Sequence, residues 1–214
     1  MTHFSRANLA LGIMLAALPA ARADTTCPPN PTTGSTVGGN LIVTGTCSLD
    51  NVTVGGNVQV ETGATLVVSG GTIDGNVRAN RCFFTALVNN VAVGGNVQIQ
   101  DCTAGSSSTG KVLASGYTGD SDNLIHIGGN FQCSGAFFCA AEFGKVEGNI
   151  RVDGDSEADI ASNSVGGNVQ VNDNTNASVS DNTIGGNLQC EANAGIAGGD
   201  NTVHGNKQGQ CAGF

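Results

Sequence analysis

The sequence predicts an all-β protein, a single-stranded parallel β-solenoid (β-helix) of about ten coils with about 19 residues in each coil. The stretch VGGNVQV, residues 54–60, recurs with small changes in nine places, and a fixed period of this length is typical of solenoids. The last five copies begin 19 residues apart. The chain also has 33 glycines and no tryptophan, with valine, isoleucine, threonine and asparagine in abundance, which favours short strands between turns. The copies begin at Val37, Val54, Ile73, Val93, Ile127, Val146, Val165, Ile184 and Val203.

Residues 1–23 have the features of a secretory signal peptide. Arg6 precedes an apolar run over residues 7–20, and residues 21–23 have the small-x-small form of a signal-peptidase site. A membrane anchor is the alternative, but the apolar run is shorter than the roughly 20 residues that a spanning helix needs. We therefore predict that Asp24 begins a secreted or periplasmic protein, with the cell surface as a further location.

Cleavage at this site leaves six basic residues against 17 acidic residues, a net charge of −11. So acidic a chain is not expected to bind nucleic acid. No later stretch is long and apolar enough to span a bilayer, so we expect no transmembrane segment after signal cleavage. Residues 24–214 are expected to form one solenoid domain, with an irregular insertion at about 103–125.

The apolar residues of each copy alternate with polar ones and are separated by glycine, asparagine and aspartate. Such period-two pairs predict strand faces joined by tight turns. Nineteen residues are too few for a strand, a helix and a return strand, but they suit one coil with two or three short strands. In the copy that begins at Val165, the apolar positions are Val165, Val169, Val171, Ala177 and Val179.

A glycine and an asparagine follow each other in all nine copies. The glycine predicts a corner with positive φ or a close backbone approach. The asparagines, stacked along the shaft, are expected to form a hydrogen-bonded amide ladder with a structural role. The sixth position of the copy is mostly glutamine, and we interpret it as a solvated polar stripe on one outer face. This position holds Gln59, Arg78, Gln98, Gln132, Arg151, Gln170, Gln189 and Gln208.

All eight cysteines lie after the predicted signal, and an oxidising compartment favours their pairing. Three pairs are separated by about one repeat, which places their members on neighbouring coils about 4.8 Å apart, within disulfide range. The remaining pair would close a short loop within one coil. The predicted pairs are Cys27 with Cys47, Cys82 with Cys102, Cys190 with Cys211, and Cys133 with Cys139.

The repeat is interrupted between Cys102 and His126 by 15 extra residues. A projecting loop is the favoured interpretation, and a degenerate coil without the motif is the alternative. Phe83-Phe84 and Phe137-Phe138 fall at equivalent positions on either side of this interruption. We expect these rings to cap the core, with an exposed apolar patch as the alternative.

Carboxylates alternate along residues 153–159, as they do in calcium loops, but the central glycine and distal glutamate of an EF-hand are missing. We interpret this run as an acidic solvated turn. No CxxC motif occurs and the histidines are not spaced as ligands, which disfavours zinc. The sequence has no GxSxG motif and no histidine with a partner at a suitable spacing. We therefore predict no catalytic residue, no cofactor and no bound metal.

The stretch Gly144–Val152, together with the other copies of the form V-x-G-N-V, resembles the repeat of bactofilins, which are bacterial polymer-forming proteins with a right-handed β-helix core. The resemblance is at the level of the repeat and covers most of the chain after residue 23. It implies a right-handed solenoid and end-to-end assembly. The secretory signal, the eight cysteines and the long insertion differ from that family.

These observations predict a non-catalytic structural or adhesive surface protein outside the cytoplasm. A polysaccharide-binding or polysaccharide-degrading β-helix is one alternative, for which a cleft with clustered carboxylates beside the insertion would be the sign. A bactofilin-like filament subunit is the other, for which open end coils would be the sign. The partners under consideration are a glycan or another cell-surface ligand, and further copies of the chain joined through the end coils.

Overall fold

The 214-residue chain is described by a computed structural model over residues 23–102, 111–115 and 124–214, the middle segment by its backbone alone. The described residues form an all-β parallel solenoid with three sheets, as predicted. Each coil contributes one strand to sheet B, then one to sheet A, then one to sheet C. The nine strands of sheet B define nine coils, against the prediction of about ten. The predicted signal segment lies outside the described residues apart from Ala23.

The strands are two to five residues long and follow one another around the three faces. Sheet A contains β1 (Thr25–Cys27), β3 (Leu41–Val43), β6 (Val58–Val60), β9 (Val77–Asn80), β12 (Val97–Gln100), β15 (Phe131–Ser134), β18 (Ile150–Asp153), β21 (Val169–Asn172), β24 (Leu188–Glu191) and β27 (Lys207–Gly209). Sheet B contains β2 (Thr36–Val37), β5 (Thr53–Val54), β8 (Thr72–Ile73), β11 (Ala92–Val93), β14 (Ile125–Ile127), β17 (Gly144–Val146), β20 (Ser164–Val165), β23 (Thr183–Ile184) and β26 (Thr202–Val203). Sheet C contains β4 (Thr46–Asp50), β7 (Thr65–Ser69), β10 (Phe84–Val88), β13 (Lys111–Ser115), β16 (Phe138–Glu142), β19 (Glu157–Ala161), β22 (Asn176–Ser180) and β25 (Gly195–Gly199).

Equivalent residues of successive copies stack in register. Val165 pairs with Ile184, and Val169 pairs with Leu188, across parallel strands. Alternate residues of each strand point inward, so β6 is buried at Val58 and Val60 and exposed between them. The interior is one continuous column of valine, isoleucine, leucine and cysteine side chains. A coil therefore buries its apolar residues against the coils before and after it, which makes the array cooperative.

The Gly-Gly-Asn corner is explained by close backbone approach. A Cβ atom added to Gly167 would lie 2.5 Å from Asn149 Oδ1 and 2.8 Å from the main-chain oxygen of Gly148. Gly167 is not among the residues with positive φ. Of the two explanations offered by the sequence, crowding against the preceding coil is the one that applies here.

The left-handed backbone occurs instead at the other two corners of each coil. Asparagine and aspartate tolerate this conformation better than other non-glycine residues, and they occupy most of these positions. The non-glycine residues with φ between 51° and 62° are Asn51, Arg81, Asn89, Asn90, Asp101, Phe143, Ser162, Asp173, Asp181, Ala192 and Asp200.

The predicted asparagine ladder is confirmed on the outside of the shaft. The main-chain N–H and the side-chain amide of Asn168 both donate to Asn149 Oδ1, at 2.8 Å and 3.2 Å. The same main-chain bond runs from each motif asparagine to the one before it, from Asn57 through Asn206. One amide oxygen per coil thus satisfies the main-chain donor that the corner leaves free.

The expectation of a single projecting loop at residues 103–125 is wrong for its centre. Strand β13 pairs in parallel with β10 and β16 and completes the fourth coil. Thr85 pairs with Val112, and Val112 with Cys139, so each step spans 27 residues (112 − 85 and 139 − 112) instead of the 19 between Thr65 and Phe84. The extra length is divided between the two sides of β13, in residues that lie outside the described part of the chain. No extra coil is needed, because the motif that begins at Val93 supplies the other two strands.

The phenylalanines beside the interruption do not cap the core. Phe83 and Phe137 are 38% and 41% exposed, and the rings of Phe84 and Phe138 are half-buried. These positions belong to strands and turns whose inward places are taken by smaller residues, so the rings lie on the outer side of sheet C. The alternative of an exposed apolar patch is therefore the one that applies.

Both ends of the shaft are covered by short terminal segments. At the first coil, Asn30 Oδ1 accepts from the main-chain N–H of Ser48 at 3.1 Å, and the N–H of Gly34 donates to Asp50 O at 3.0 Å. At the last coil, the ring of Phe214 lies against Gly198 in β25. In the described ranges, no helix is long and apolar enough to cross a membrane.

Candidate functional site

Three of the four expected cysteine pairs are disulfides in the structure. Cys82 and Cys102 occupy equivalent corner positions of the third and fourth coils, with Cα atoms 4.5 Å apart. The other two bonds join strands near the ends of the shaft to neighbouring segments, with Cα distances of 5.7 Å and 5.3 Å. These bonds join Cys27 to Cys47 and Cys190 to Cys211.

The fourth expected pair is not bonded. Cys133 and Cys139 are free thiols, and both are buried. They lie in the same coil but on different sheets, Cys133 on β15 and Cys139 on β16, so they meet across the interior rather than on stacked strands. The prediction of a disulfide between them is therefore wrong for this structure.

A carboxylate joins these two thiols in the interior. Asp155 lies in the turn between β18 and β19 of the next coil, and its side chain points inward. Cys133, Cys139 and Asp155 are 2%, 0% and 1% exposed, and the ligand atoms of the three side chains all lie within 4.8 Å of one another. We refer to these three residues as the thiol–carboxylate cluster. Among the residues with described side chains, it is the one grouping of three histidine, cysteine, aspartate or glutamate residues close enough to share an ion.

Asp155 belongs to a vertical column of corner residues, two places after the end of each sheet A strand. Later in this column, the main-chain and side-chain N–H groups of Asn174 donate to Asn193 Oδ1 at 3.0 Å and 2.9 Å. The main-chain N–H of Asp155 donates to Asn174 Oδ1 at 2.9 Å in the same way. The column, from its first disulfide to its last amide, is Cys82, Cys102, Ala136, Asp155, Asn174 and Asn193.

The carboxylate of Asp155 is only half satisfied. Its Oδ1 accepts from the main-chain N–H of Ala136 at 2.6 Å, whereas its buried Oδ2 has no hydrogen-bond partner. Burial raises the pKa of Asp155 to about 7. Burial likewise raises the pKa of both the Cys133 and the Cys139 thiol. The three groups are thus held in a place that disfavours negative charge on each of them.

The outer face of sheet A carries the second feature. Its exposed side chains form files that run the length of the shaft, and we call this surface the amide face. One file is the asparagine ladder, and the next is the glutamine stripe at the sixth motif position. The stripe is in strict register and contains Ile42, Gln59, Arg78, Gln98, Gln132, Arg151, Gln170, Gln189 and Gln208.

Shallow grooves run between these files. One groove of about 380 Å³ lies over the second to fourth coils and is lined by both files, including Arg78 and Gln98. A second groove, of about 300 Å³, lies over coils five to seven and is lined by Arg151 and Gln170. The Arg151 guanidinium bonds Asp153 Oδ2 at 3.1 Å. The amide face therefore offers paired donors and acceptors at the spacing of the strands, about 4.8 Å.

The sequence analysis missed the thiol–carboxylate cluster. It assigned Asp155 to a solvated acidic turn, which is wrong because the turn points this one side chain into the core. A signal was present: residues 174 and 193, one and two repeats later, are both asparagine, so aspartate departs from the column there. Cys133 and Cys139 were also the one pair not separated by a repeat.

No protein-family model, no curated protein and no solved structure matches this chain. The likeness to bactofilin repeats stays a prediction from the motif. The cluster and the amide face are the two features of the described residues on which functional proposals rest.

Proposed function

We propose that the chain is a non-catalytic structural or adhesive solenoid that acts outside the cytoplasm and binds an extended polymer, such as a glycan, along its amide face. The observation that carries this proposal is the strict register of outward amide side chains over nine coils. A polymer with regularly spaced hydroxyl or amide groups meets the same donors and acceptors on every coil. Many weak contacts then add up along the shaft.

The hydrogen bonds on this face leave part of its capacity free for a ligand. Gln98 Nε2 donates to Gln132 Oε1 at 3.2 Å, and Gln59 and Gln189 each donate to a glutamate two residues along their own strand. A glutamine side chain has two donors and one oxygen with two lone pairs, so these single bonds do not saturate it. The sheet beneath is rigid, so binding would order few additional groups.

Three disulfides support a location in an oxidising compartment outside the cytoplasm. They also suit a long shaft that bears load, because they tie coils together near both ends and in the middle. The predicted export signal is in keeping with this location.

The covered ends support an adhesive role over the filament role that the bactofilin resemblance implies. End-to-end stacking requires free strand edges, whereas Asn30 bonds the N–H of Ser48 in the edge strand of sheet C. At the other end, Phe214 lies across β25. A filament would have to displace both segments. The right hand of the coil and the absence of catalysis stay predictions.

The test is binding of the purified, oxidised protein to a glycan array and to bacterial cell-wall polysaccharides. The variant carries Gln170→Glu and Gln189→Glu, which are nearly isosteric and stack in register on the amide face. We expect binding to neutral and acidic polymers to fall at least tenfold, because two like charges replace amide donors.

The matched control carries Ser164→Glu and Thr183→Glu, which stack in the same two coils but on the exposed side of sheet B. The control has the same net charge, so general repulsion would weaken both variants equally. Equal binding by the wild type and the amide-face variant would contradict the proposal.

A further inference from the structure

The thiol–carboxylate cluster combines three features that ordinary core packing does not require. It contains two thiols that stay unbonded in a chain whose other six cysteines are disulfides. It also buries a carboxylate oxygen without a donor. The cluster lies between the fifth and sixth coils, beside the place where the strict repeat is interrupted.

Aspartate is a poor choice for this position on structural grounds alone. In Asn174 the side-chain nitrogen donates to Asn193 Oδ1, and the corresponding atom of Asp155 is Oδ2, which can donate nothing when ionised. An asparagine at 155 would continue the column with a neutral group of the same size. A buried, unpaired polar atom costs about 1–3 kcal/mol. Its presence beside two thiols points to a ligand that needs a negative oxygen.

The spacing of the three ligand atoms fits one small cation. Zinc binds cysteine sulfur at about 2.3 Å and carboxylate oxygen at about 2.0–2.2 Å, so the ligands of a tetrahedral ion lie about 3.5–3.8 Å apart. The observed limit of 4.8 Å for every pair allows that arrangement. Sulfur and carboxylate together suit zinc and chemically similar transition metals better than calcium or magnesium.

We propose that Cys133, Cys139 and Asp155 bind one divalent transition-metal cation of the zinc class, which fastens the fifth coil to the sixth. Binding displaces the two thiol protons into solvent and leaves two thiolates and one carboxylate around a doubly charged ion. The fourth position of a tetrahedral site is filled by water or a main-chain oxygen. This site replaces the expectation of no metal, which rested on the absence of a CxxC motif.

The structural consequence is a staple at a place where the column has no disulfide. Cys82 and Cys102 join the third and fourth coils through this same corner. The metal would continue that connection two coils further on, through Asp155 of the sixth coil. The inference is independent of polymer binding by the amide face.

The test uses the full chain, purified without reductant or chelator, with metal content measured by mass spectrometry and free thiols counted in the unfolded protein. After chelation, the protein is titrated with Co²⁺, whose thiolate complexes give a charge-transfer absorption band. We expect one equivalent of metal, two free thiols per chain after chelation, and a Co²⁺ band that Zn²⁺ abolishes.

Three variants make the result specific. Cys133→Ser with Cys139→Ser is expected to lose the Co²⁺ band, and Asp155→Asn to weaken the Co²⁺ affinity at least about tenfold while keeping the fold by circular dichroism. Asp159→Asn, which changes a carboxylate on the outer side of the same coil, is expected to bind like the wild type. A wild-type chain with both thiols free but no Co²⁺ binding would overturn the proposal. A Cys133–Cys139 disulfide in the purified protein would also overturn it.

Discussion

Asn182 and Asn201 are joined by a hydrogen bond inside the shaft, where the side-chain amide of Asn182 donates to Asn201 Oδ1 at 2.9 Å. The same nitrogen also donates to Ile160 O at 2.8 Å, and Asn182 Oδ1 accepts two N–H groups from Asn163. These asparagines are 6% exposed or less. A buried amide ladder therefore runs through the last coils in parallel with the exposed ladder at the Gly-Gly-Asn corner.

Asn182→Ala is expected to destabilise the protein by about 3 kcal/mol, because it leaves buried donors of Asn163 and the acceptor Ile160 O without partners. Urea unfolding measures this change. The control is Asn168→Ala in the exposed ladder, where water replaces the lost amide, and we expect a loss of about 1 kcal/mol or less. Equal losses for the two variants would show that burial of the ladder does not matter.

Gly167→Ala is expected to destabilise the shaft by about 2 kcal/mol or more, since its Cβ would lie 2.5 Å from Asn149 Oδ1 and would push two coils apart. The control is Gly199→Ala, whose Cβ would meet nothing within 4 Å and whose φ is not positive. Its thermal midpoint is expected to stay within about 2 °C of the wild type. A wild-type midpoint for Gly167→Ala would refute the close-approach explanation of the corner.

The sequence predicted the architecture because each copy reports the same local environment. The pairing of Val165 with Ile184 and the stacking of Cys82 on Cys102 follow directly from the period. The period carries no information where it fails. Strand β13 lacks the motif, and its place in sheet C comes from main-chain pairing with β10 and β16.

The thiol–carboxylate cluster was out of reach for a related reason. Its members come from two sheets and two coils, so their proximity depends on how the corner aims each side chain, and a repeat alignment does not contain that direction. Asp155 lies within an acidic run whose other members point outward or lie at the surface. The outward glutamine stripe, in contrast, was predictable, because strand alternation alone fixes its direction.

Replacing Cys190 and Cys211 with serine is expected to cost about 3 kcal/mol, since the disulfide closes a loop of about 20 residues in the unfolded chain. The loss of protection from hydrogen exchange is expected in β24 and β27, because the bond ties the last strand to the coil beneath it. Cys82→Ser with Cys102→Ser removes a bond of nearly the same loop length from the middle of the shaft. Its loss of protection is expected in the third and fourth coils instead. Uniform loss along the shaft in both variants would contradict local stapling.

In the chelated protein, the stability difference between Asp155→Asn and the wild type is expected to depend on pH. Burial raises the pKa of Asp155 from 3.8 to about 7, so its ionisation opposes folding. The wild type therefore keeps its full stability below about pH 4 and loses stability as the pH rises to about 7, whereas the asparagine variant has no carboxyl group to ionise. The difference is expected to grow from near zero at about pH 4 to about 4 kcal/mol above pH 7. Urea unfolding in the presence of a chelator measures it, with Asp159→Asn as the control for the loss of one negative charge. A difference that stays constant across this range would mean that Asp155 is ionised without penalty in the folded chain, and that a partner for its second oxygen exists even without metal.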